Sequence, residues 1–559
     1  MEKICLLYWL TSFLIQTLVQ AGNFSRETKK LKMKRIFISL MIFLAVFLSM
    51  NAAASRERES KQTILRIGTP QEVKSPNVFG DYNLSIFIKI SNPPLMKIDS
   101  QGHITGLTAS KVQMSQDFTE WIFTIRDDFW WSDGTKFSAE DVLFSIVYTG
   151  KHYPYAAWIK NTLESAALVD ENTVRIKFSR PYTRLDLEFT SYNIFPKHIY
   201  EDIPDPMNHL NSGENIGFGP FFIQNIDLNA GVICFSRNPY WQGRQSHING
   251  FEIHIYKNTD ILSLALEKGD VDTYYKYASS YPYANIERLK KTNKFDFSTK
   301  LNIGLVFMAF NLKQGATADL DFRKALSYAV DYDEILLLDA LGFGKNPDRG
   351  FVPPSMAGYT ESEDLEYDPD RARRILSDAG YADRDADGFL EDRKGQEISL
   401  SLLVRDDWAR IGELLENYFA QIGIKTAVRF LDLNSWVAAK DHYDYDVLVA
   451  RSTPWGMFMH ANWGTGYFDS RRTGQGVLHN VDDPSFLKLC DEILASGDPQ
   501  KLKDLARSVQ RYYAEKIPAV ALYWNEIVTP LKKEFSGWKH SPLYGIYNID
   551  SFISVRKTE

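Results

Sequence analysis

Cysteine is scarce in this chain of 559 residues, which contains three. Cys5 lies in an apolar run near the start, so Cys234 and Cys490 are the two that remain in the body of the chain. No Cys-x-x-Cys pair occurs, which excludes the common zinc-binding and thioredoxin-like motifs. We expect Cys234 and Cys490 in different domains, so a disulfide between them stays open but is not the default.

Motifs of familiar enzymes are missing as well. The chain has no Gly-x-Ser-x-Gly elbow and no His-Glu-x-x-His helix, and its ten histidines are scattered. The acidic pairs Asp127-Asp128 and Asp406-Asp407 are neighbours in sequence, whereas two carboxylates acting on one glycosidic bond face each other across about 5 to 9 Å. We therefore expect a protein that is not an enzyme, with a hydrolase as the less favoured alternative.

No apolar run reaches the roughly 20 residues that a membrane-spanning helix needs. Two shorter runs cover residues 4–19 and 36–50, and the second has the organisation of a signal peptide. Three basic residues precede it and three small residues follow it, namely Lys32, Lys34, Arg35 and Ala52, Ala53, Ala54. We predict that translation starts at Met33 and that cleavage follows Ala54. The alternative is a membrane anchor of two segments.

A surplus of basic residues is also lacking. The chain has 64 Lys and Arg against 71 Asp and Glu, for a net charge of -7. Residues 1–54 contain seven basic and two acidic residues, so the cleaved chain would carry a net charge of -12. Such a chain repels the phosphate backbone. We expect no nucleic-acid partner.

The residues that are present indicate a folded α/β protein. A hydrophobic share of 44% with 24% charged residues is typical of globular chains, and the length suggests about two to four domains. The clearest local pattern is WIFTIRDDFWWSDGTKFSAEDVLFSIVY at residues 121–148. Alternating apolar residues predict a strand, Asp133-Gly134 a turn, and Ser138 with Asp141 a capping box that starts a helix ending near Gly150.

The same stretch resembles the characteristic motif of the family 5 extracellular solute-binding proteins, the peptide and nickel receptors of ABC importers. The matching residues are Phe123, Arg126, Trp131, Asp133, Gly134, Phe137, Ala139, Glu140, Asp141, Val142, Phe144 and Ser145. The resemblance implies an α/β, two-lobed, periplasmic-binding-protein-like fold of type II, with three subdomains and a hinge. It also implies a monomer that delivers its solute to a membrane permease.

Further segments are similar to other motifs of that family. They are FPKHI at 195–199, GFGPF at 217–221 with Phe218 where threonine is usual, RNPYW at 237–241, and IPAVALY at 517–523. The resemblance divides the chain into a signal-peptide region, 1–54; lobe I, 55–99, 201–300 and 516–559; inserted subdomain II, 100–200; and lobe III, 301–515. No cysteine comes directly after the second apolar run, so the exported protein would lack the family's lipid anchor.

The solute site is expected where the predicted strand at 446–450 runs into RSTPWGMFMHANW. Oligopeptide members carry an aspartate here that pairs with the peptide amino group, and this chain lacks it. Trp455-Gly456 followed by His460 is similar instead to a run in the nickel receptors. The other candidate ligand-binding residues are His152 and Trp158 in subdomain II and Tyr275 and Tyr277 in the tyrosine-rich segment 274–283. For the histidines the alternative is a structural role, and for the tyrosines an exposed turn.

A loop at Asp383, Asp385, Asp387 and Gly388 resembles the first half of an EF-hand. The twelfth position, where a bidentate glutamate belongs, is Lys394. A structural calcium ion and a plain Asp/Gly turn are the two interpretations. No other cofactor is expected.

The sequence thus favours an exported receptor, periplasmic or extracytoplasmic, that closes over a short peptide without transforming it. A nickel or metallophore complex is the alternative solute. A receptor that feeds a signalling partner would use the same fold.

Overall fold

The computed structural model describes residues 62–558, except for 74–84, 100–101, 154–158, 160–161, 210–214, 278, 303, 357, 453–467, 470, 472–477, 480 and 543. The described strands are β1 Ile64–Thr69, β2 Met96–Ile98, β3 Ile104–Gly106, β4 Ala109–Met114, β5 Glu120–Ile125, β6 Leu163–Asp170, β7 Thr173–Phe178, β8 Phe221–Asp227, β9 Val232–Arg237, β10 Gly250–Ile255, β11 Thr273–Tyr274, β12 Phe295–Leu301, β13 Val306–Phe310, β14 Gly344–Lys345, β15 Ser399–Arg405, β16 Lys425–Leu431, β17 Val447–Arg451, β18 Ala519–Lys532, β19 Phe535–Ser536 and β20 Arg556–Lys557.

The described helices alternate with these strands, as expected for an α/β chain. They are α1 Ser85–Ser91, α2 Ala139–His152, α3 Leu185–Glu188, α4 Lys197–Tyr200, α5 Thr259–Lys268, α6 Tyr283–Lys290, α7 Leu320–Ala329, α8 Tyr332–Ala340, α9 Pro369–Asp378, α10 Ala409–Gln421, α11 Leu433–Asp441, α12 Pro484–Ala495, α13 Pro499–Lys516 and α14 Ile549–Ser554, with short 3-10 turns at Ala316–Ala318 and Asp406–Trp408.

One large sheet runs through most of the molecule, in the order β16-β15-β17-β13-β18-β11-β1-β10-β9-β8. The long strand β18 joins its two halves: residues 519–523 pair with β13, and Leu531 pairs with β11. Strand β12 pairs with β18 over residues 526–532. Two adjacent strands therefore pass from one half of the sheet to the other, which is the arrangement a hinge between lobes requires.

The hydrophobic cores form separate clusters on the two halves of the large sheet and on the smaller sheet. Two clusters cover the two faces of the β13, β15, β16 and β17 half, and two others cover the faces of the β1, β10 and β11 half. A further cluster fills the antiparallel sheet β4-β5-β7-β6. Thr63–Glu559 nevertheless forms one compact unit, so these subdomains contact each other closely. The subdomain boundaries stay a prediction.

The strand, turn and capped helix predicted at 121–148 are confirmed as β5 and α2, although α2 extends to His152 rather than ending near Gly150. Gly134 has a φ of 91°, which favours glycine at this turn. The Ser138 backbone N–H donates to Asp141 Oδ2 at 2.9 Å, so the capping box is present. Asp141 also accepts from the Lys197 backbone N–H at 2.9 Å and from Trp131 Nε1 at 3.3 Å.

Three of the other family-like motifs, those at 195–199, 217–221 and 237–241, meet at the same place. The Ser132 backbone N–H donates to the Gly217 carbonyl at 2.8 Å, and Asn238 Nδ2 donates to that carbonyl at 3.3 Å. Phe218 stacks on Phe137 with ring centroids 4.1 Å apart. The segments around 131, 217 and 238, which are distant in sequence, form one buried junction between lobe I and subdomain II.

Candidate binding site

The ends of four strands define a cleft across the middle of β18. Strands β15 and β17 are parallel and end together at Arg405 and Arg451. Strands β1 and β11 are also parallel, and both run antiparallel to the far half of β18, so their carboxyl ends point toward β15 and β17. In open α/β sheets, ligands bind in the crevice outside such strand ends, where the strand order reverses. This cleft is the candidate site.

Three basic side chains surround the cleft. Lys276 follows β11 on the lobe I side and is exposed, whereas Arg405 and the partly buried Arg451 close β15 and β17 on the lobe III side. Arg451 Nη1 donates to Ser279 Oγ at 3.0 Å, which is a direct contact between the two sides. The lobes therefore meet at this point through a hydrogen bond to a neutral hydroxyl group.

The nearby carboxylate of Asp407 is already held by an arginine close to it in sequence. Asp407 Oδ2 accepts from Arg405 Nη2 at 2.5 Å, and Arg405 Nε contacts Oδ1. The Arg405 guanidinium also stacks over the Trp408 ring at 4.0 Å. Within the described residues, neither Lys276 nor Arg451 forms a salt bridge of its own.

The electrostatics of the cleft reflect this excess of positive charge. Desolvation, followed by repulsion from Arg451, lowers the pKa of the Lys276 amino group. Burial, followed by repulsion from Arg405, lowers the pKa of Arg451. Below these groups, the Tyr523 hydroxyl donates to Asp339 Oδ2, and burial raises the pKa of the Asp339 carboxyl. The site favours an incoming negative charge.

The structure separates the two tyrosines that the sequence proposed together. Tyr275 is 4% exposed, with its hydroxyl oxygen also buried, and its ring packs edge-on against Phe87 and Tyr547. It lies in the lobe I core and is not part of an open cleft wall. Tyr277 is half-buried, its backbone N–H donates to Gln71 Oε1 at 2.7 Å, and it is among the groups that raise the pKa of Arg451 against the larger lowering effect of burial.

Of the other sequence-predicted ligand residues, the structure describes His152. Trp158, Trp455, Gly456 and His460 lie outside the described residues. His152 ends α2, where its ring lies 4.6 Å from that of Tyr148, and its charged neighbours Lys151 and Asp205 are outside the cleft. Sequence reasoning passed over Lys276 and Arg451, because only the register of distant strands places them in one cleft.

The acidic loop closes largely on itself. Asp383 accepts from the backbone N–H groups of Ala386 and Gly388, and Asp385 accepts from that of Asp387. In the part of the chain that the structure covers, the carboxylates that approach one another within 4.8 Å are those of Asp383, Asp385 and Glu391, so Glu391 replaces the predicted Asp387. Arg384 Nη1 lies 3.7 Å from Glu391 Oε2 and already supplies positive charge there.

A separate cavity of about 430 Å³ lies beside α1 and the C-terminal segment. Its lining comes from residues 86–107, 190, 244 and 539–554, and Lys97 in it is paired with Asp550 at 3.0 Å. Among the described residues, none of the predicted lobe III lines it, so closure of the lobes would not bring those residues onto a molecule there. The cleft at β15, β17 and β11 fits a hinged receptor better.

The comparison with known families defines the class of protein. The model of the bacterial extracellular solute-binding proteins, family 5, matches residues 103–474, well over half of the chain. The chain belongs to this family. It is a solute-binding receptor of the kind that serves ABC importers, which confirms the resemblance seen in the sequence and the expectation that the protein is not an enzyme.

Individual relatives are distant in sequence and similar in fold. The dipeptide-binding protein of Escherichia coli is 23% identical, covering 80% of this chain and 85% of its own length. The nickel-binding periplasmic protein of the same organism is 22% identical, covering 80% and 86%. A periplasmic oligopeptide-binding protein from Thermotoga maritima superposes with a TM-score of 0.77 at 18% identity, over 89% of this chain and 100% of its own. The two-lobed α/β fold is confirmed.

The structure also bears on the possible disulfide and on the possible membrane anchor. Cys234 in β9 and Cys490 in α12 are both free thiols. None of the helices in the described part of the chain combines the length and the apolar character that crossing a membrane demands.

Proposed function

We propose that the protein captures short peptides outside the cytoplasmic membrane and delivers them to the permease of an ABC importer. The predicted signal peptide supports this location, as do two relatives that are described as periplasmic proteins. Supporting the solute class are relatives described as binding dipeptides or oligopeptides, and a Bacillus subtilis oligopeptide-binding protein of the same fold, solved with a nonapeptide.

The observation that carries the proposal is the position of the cleft. Lys276, Tyr277 and Ser279 come from one half of the large sheet and Arg405 and Arg451 from the other, with β12 and β18 between them. A solute in this cleft contacts both lobes only when they are close. Its binding therefore shifts the protein toward the closed state.

A nickel or metallophore complex is the second candidate solute. The run that holds Trp455 and His460 is similar to one in nickel receptors, and a Brucella suis relative of the same fold was solved with Fe(III)-EDTA, a metal chelate. Cationic groups such as Lys276 and Arg451 suit the carboxylates of such a chelate.

Native mass spectrometry of gently purified protein tests the solute class, because a bound molecule adds its own mass to the chain. We expect a peptide mass, and small-angle scattering should show a smaller radius of gyration when that peptide is added back. Scattering curves that stay identical over a wide set of peptides and metal chelates would contradict capture by closure. A metal chelate mass would favour the second candidate.

A further inference from the structure

The cavity beside α1 contains more positive than negative charge, although the chain as a whole is acidic. Its volume of about 430 Å³ lies in the range of sites that hold small molecules. The charged side chains in its lining are Lys89, Lys97, Asp99, Arg244, Lys539 and Asp550. The whole chain, by contrast, has a net charge of -7. The cavity is therefore a local exception, and its charge favours an anion.

Both aspartates of the cavity already have partners in the protein. Asp550 Oδ2 accepts from Lys97 Nζ at 3.0 Å, so these two charges neutralise each other. Asp99 Oδ1 accepts from the His103 backbone N–H at 2.9 Å. The carboxylates of the lining are thus engaged with residues other than the remaining cations.

The exposed side chains of Arg244 and Lys539 have no ion-pair partner in the part of the chain that the structure describes. Their backbone segments are held beside α14. Two residues after Arg244, Ser246 Oγ donates to the Phe552 carbonyl at 2.9 Å, and the Lys539 backbone N–H donates to Ser551 Oγ at 3.2 Å. Two positioned cations without a carboxylate partner are suited to the charged group of an anion.

Apolar groups form much of the remaining lining. They come from α1, the segment that follows it and α14, and are Ile86, Ile90, Pro94, Ile98, Leu107 and Ile549. Lys89 Nζ donates to the Tyr544 hydroxyl at 3.1 Å and lies 4.6 Å from the centre of that ring, so the lysine is held on an aromatic surface. An inorganic ion would leave these apolar groups without a partner, whereas an organic anion would contact them with its apolar part.

We propose that this cavity is a second binding site, which takes a small soluble organic anion with an apolar body, and that Arg244 and Lys539 contact the charged group of that anion. The site is separate from the candidate cleft, because neither Lys276 nor Arg451 lines it. The inference therefore goes beyond peptide capture, and its failure would leave the proposed function standing.

Naphthalene-1-acetate and its neutral amide are the probes, and calorimetry on the full chain measures their affinities. The double variant Arg244→Gln/Lys539→Gln removes the two cations. Ile549→Trp narrows the cavity without removing a charge, since Ile549 is a half-buried lining residue. Two controls each remove an exposed charge elsewhere: Lys503→Gln on α13 and Lys276→Gln in the candidate cleft. Circular dichroism melting of the free proteins checks folding.

For wild type and both controls we expect the acid to bind about fivefold more tightly than the amide. The double variant should lose this preference while still binding the amide, and its exposed positions make misfolding no obstacle to the test. Ile549→Trp should weaken the binding of both probes by at least roughly tenfold.

Three results would overturn the proposal. They are binding of neither probe by wild type, equal binding of acid and amide by wild type, and an unchanged preference for the acid in Arg244→Gln/Lys539→Gln. Affinities that fall in Lys276→Gln but not in Ile549→Trp would place the probes in the cleft between the lobes, and would overturn it as well.

Discussion

Asp272 carries a buried negative charge that ties three strands together. It is 1% exposed, accepts from the Arg66 backbone N–H at 2.8 Å and from Lys532 Nζ at 3.1 Å, and also contacts the Arg66 guanidinium. Arg66 lies in β1 and Lys532 ends β18, while Asp272 immediately precedes β11. The carboxylate therefore anchors the segment that leads to Lys276.

Replacing Asp272 by Asn should destabilise the protein by about 3 kcal/mol, because the buried Lys532 charge loses its buried partner and keeps only the exposed carboxylate of Glu534, 3.4 Å away. Urea denaturation followed by circular dichroism measures the free energy of unfolding. Asp270→Asn, at an exposed neighbouring position, is the control and should change it little. Adding Lys532→Met to Asp272→Asn should recover part of the loss. A single variant as stable as wild type would contradict the anchoring role.

The buried side chain of His479 should make the free energy of unfolding depend on pH. It is buried against Tyr513, and burial lowers its pKa from 6.5 to about 3. At a pH between these two values, His479 binds a proton in the unfolded chain but not in the folded chain. The free energy of unfolding should therefore fall as the pH drops below 6.5, by on the order of 1 kcal/mol per pH unit from this residue.

Denaturation at several pH values between 7 and 4 measures this slope. His479→Gln should flatten it, whereas His442→Gln, at an exposed position, should leave it as in wild type. An identical slope in wild type and His479→Gln would show that the buried imidazole does not contribute.

The Asp383 loop illustrates an element that local hydrogen bonds can shape without an ion. Its aspartates accept backbone N–H groups within the loop, and Glu391 accepts from the Arg384 backbone N–H at 2.7 Å. We therefore expect a chelator to leave the melting temperature unchanged. A melting temperature that falls with chelator and is restored by calcium, but not in Asp383→Asn, would instead establish a structural calcium site.

A contact between Thr183 and Leu494 joins the predicted subdomain II to the predicted lobe III. Thr183 of subdomain II donates through Oγ1 to the Leu494 carbonyl of lobe III at 2.8 Å, and its backbone N–H donates to the same oxygen at 3.3 Å. Beside this contact, a Cβ added at Gly497 would lie 2.7 Å from the Phe118 ring. Subdomain II thus touches lobe III directly, away from the candidate cleft.

Thr183→Ala should weaken solute binding a few-fold without altering the cleft, because a net hydrogen bond worth about 1 kcal/mol favours the closed state. Calorimetry gives the affinity, and scattering gives the closure. Thr190→Ala is a matched control, since its buried hydroxyl donates at 2.8 Å to Leu187 within subdomain II. Equal affinities for the two variants would mean that the Thr183 contact does not serve closure.

Local elements were largely predictable from the chain. Strand β5 and helix α2 form at the stretch where the sequence predicted them, and helix α5 carries equally local signals, the Asn258 cap and the left-handed Gly269 at its ends. The signals for these elements are local: alternating apolar residues mark a strand, and capping residues and glycines mark the ends of a helix. The ligand residues were harder, because Tyr275 and Tyr277 look alike in sequence while one is buried and the other borders the cleft.

The chain by itself determined the family, the order of elements and the absence of enzyme motifs. Four of its five recognisable motifs meet in the junction around Trp131, Asp141 and Gly217, where packing and hydrogen bonds restrict each residue locally. Only the tertiary structure placed Lys276 beside Arg451, 175 positions later in the sequence. Their proximity depends on three strand pairs: β11 and β13 each pair with β18, and β17 pairs with β13. No local sequence pattern encodes a strand register that joins such distant segments.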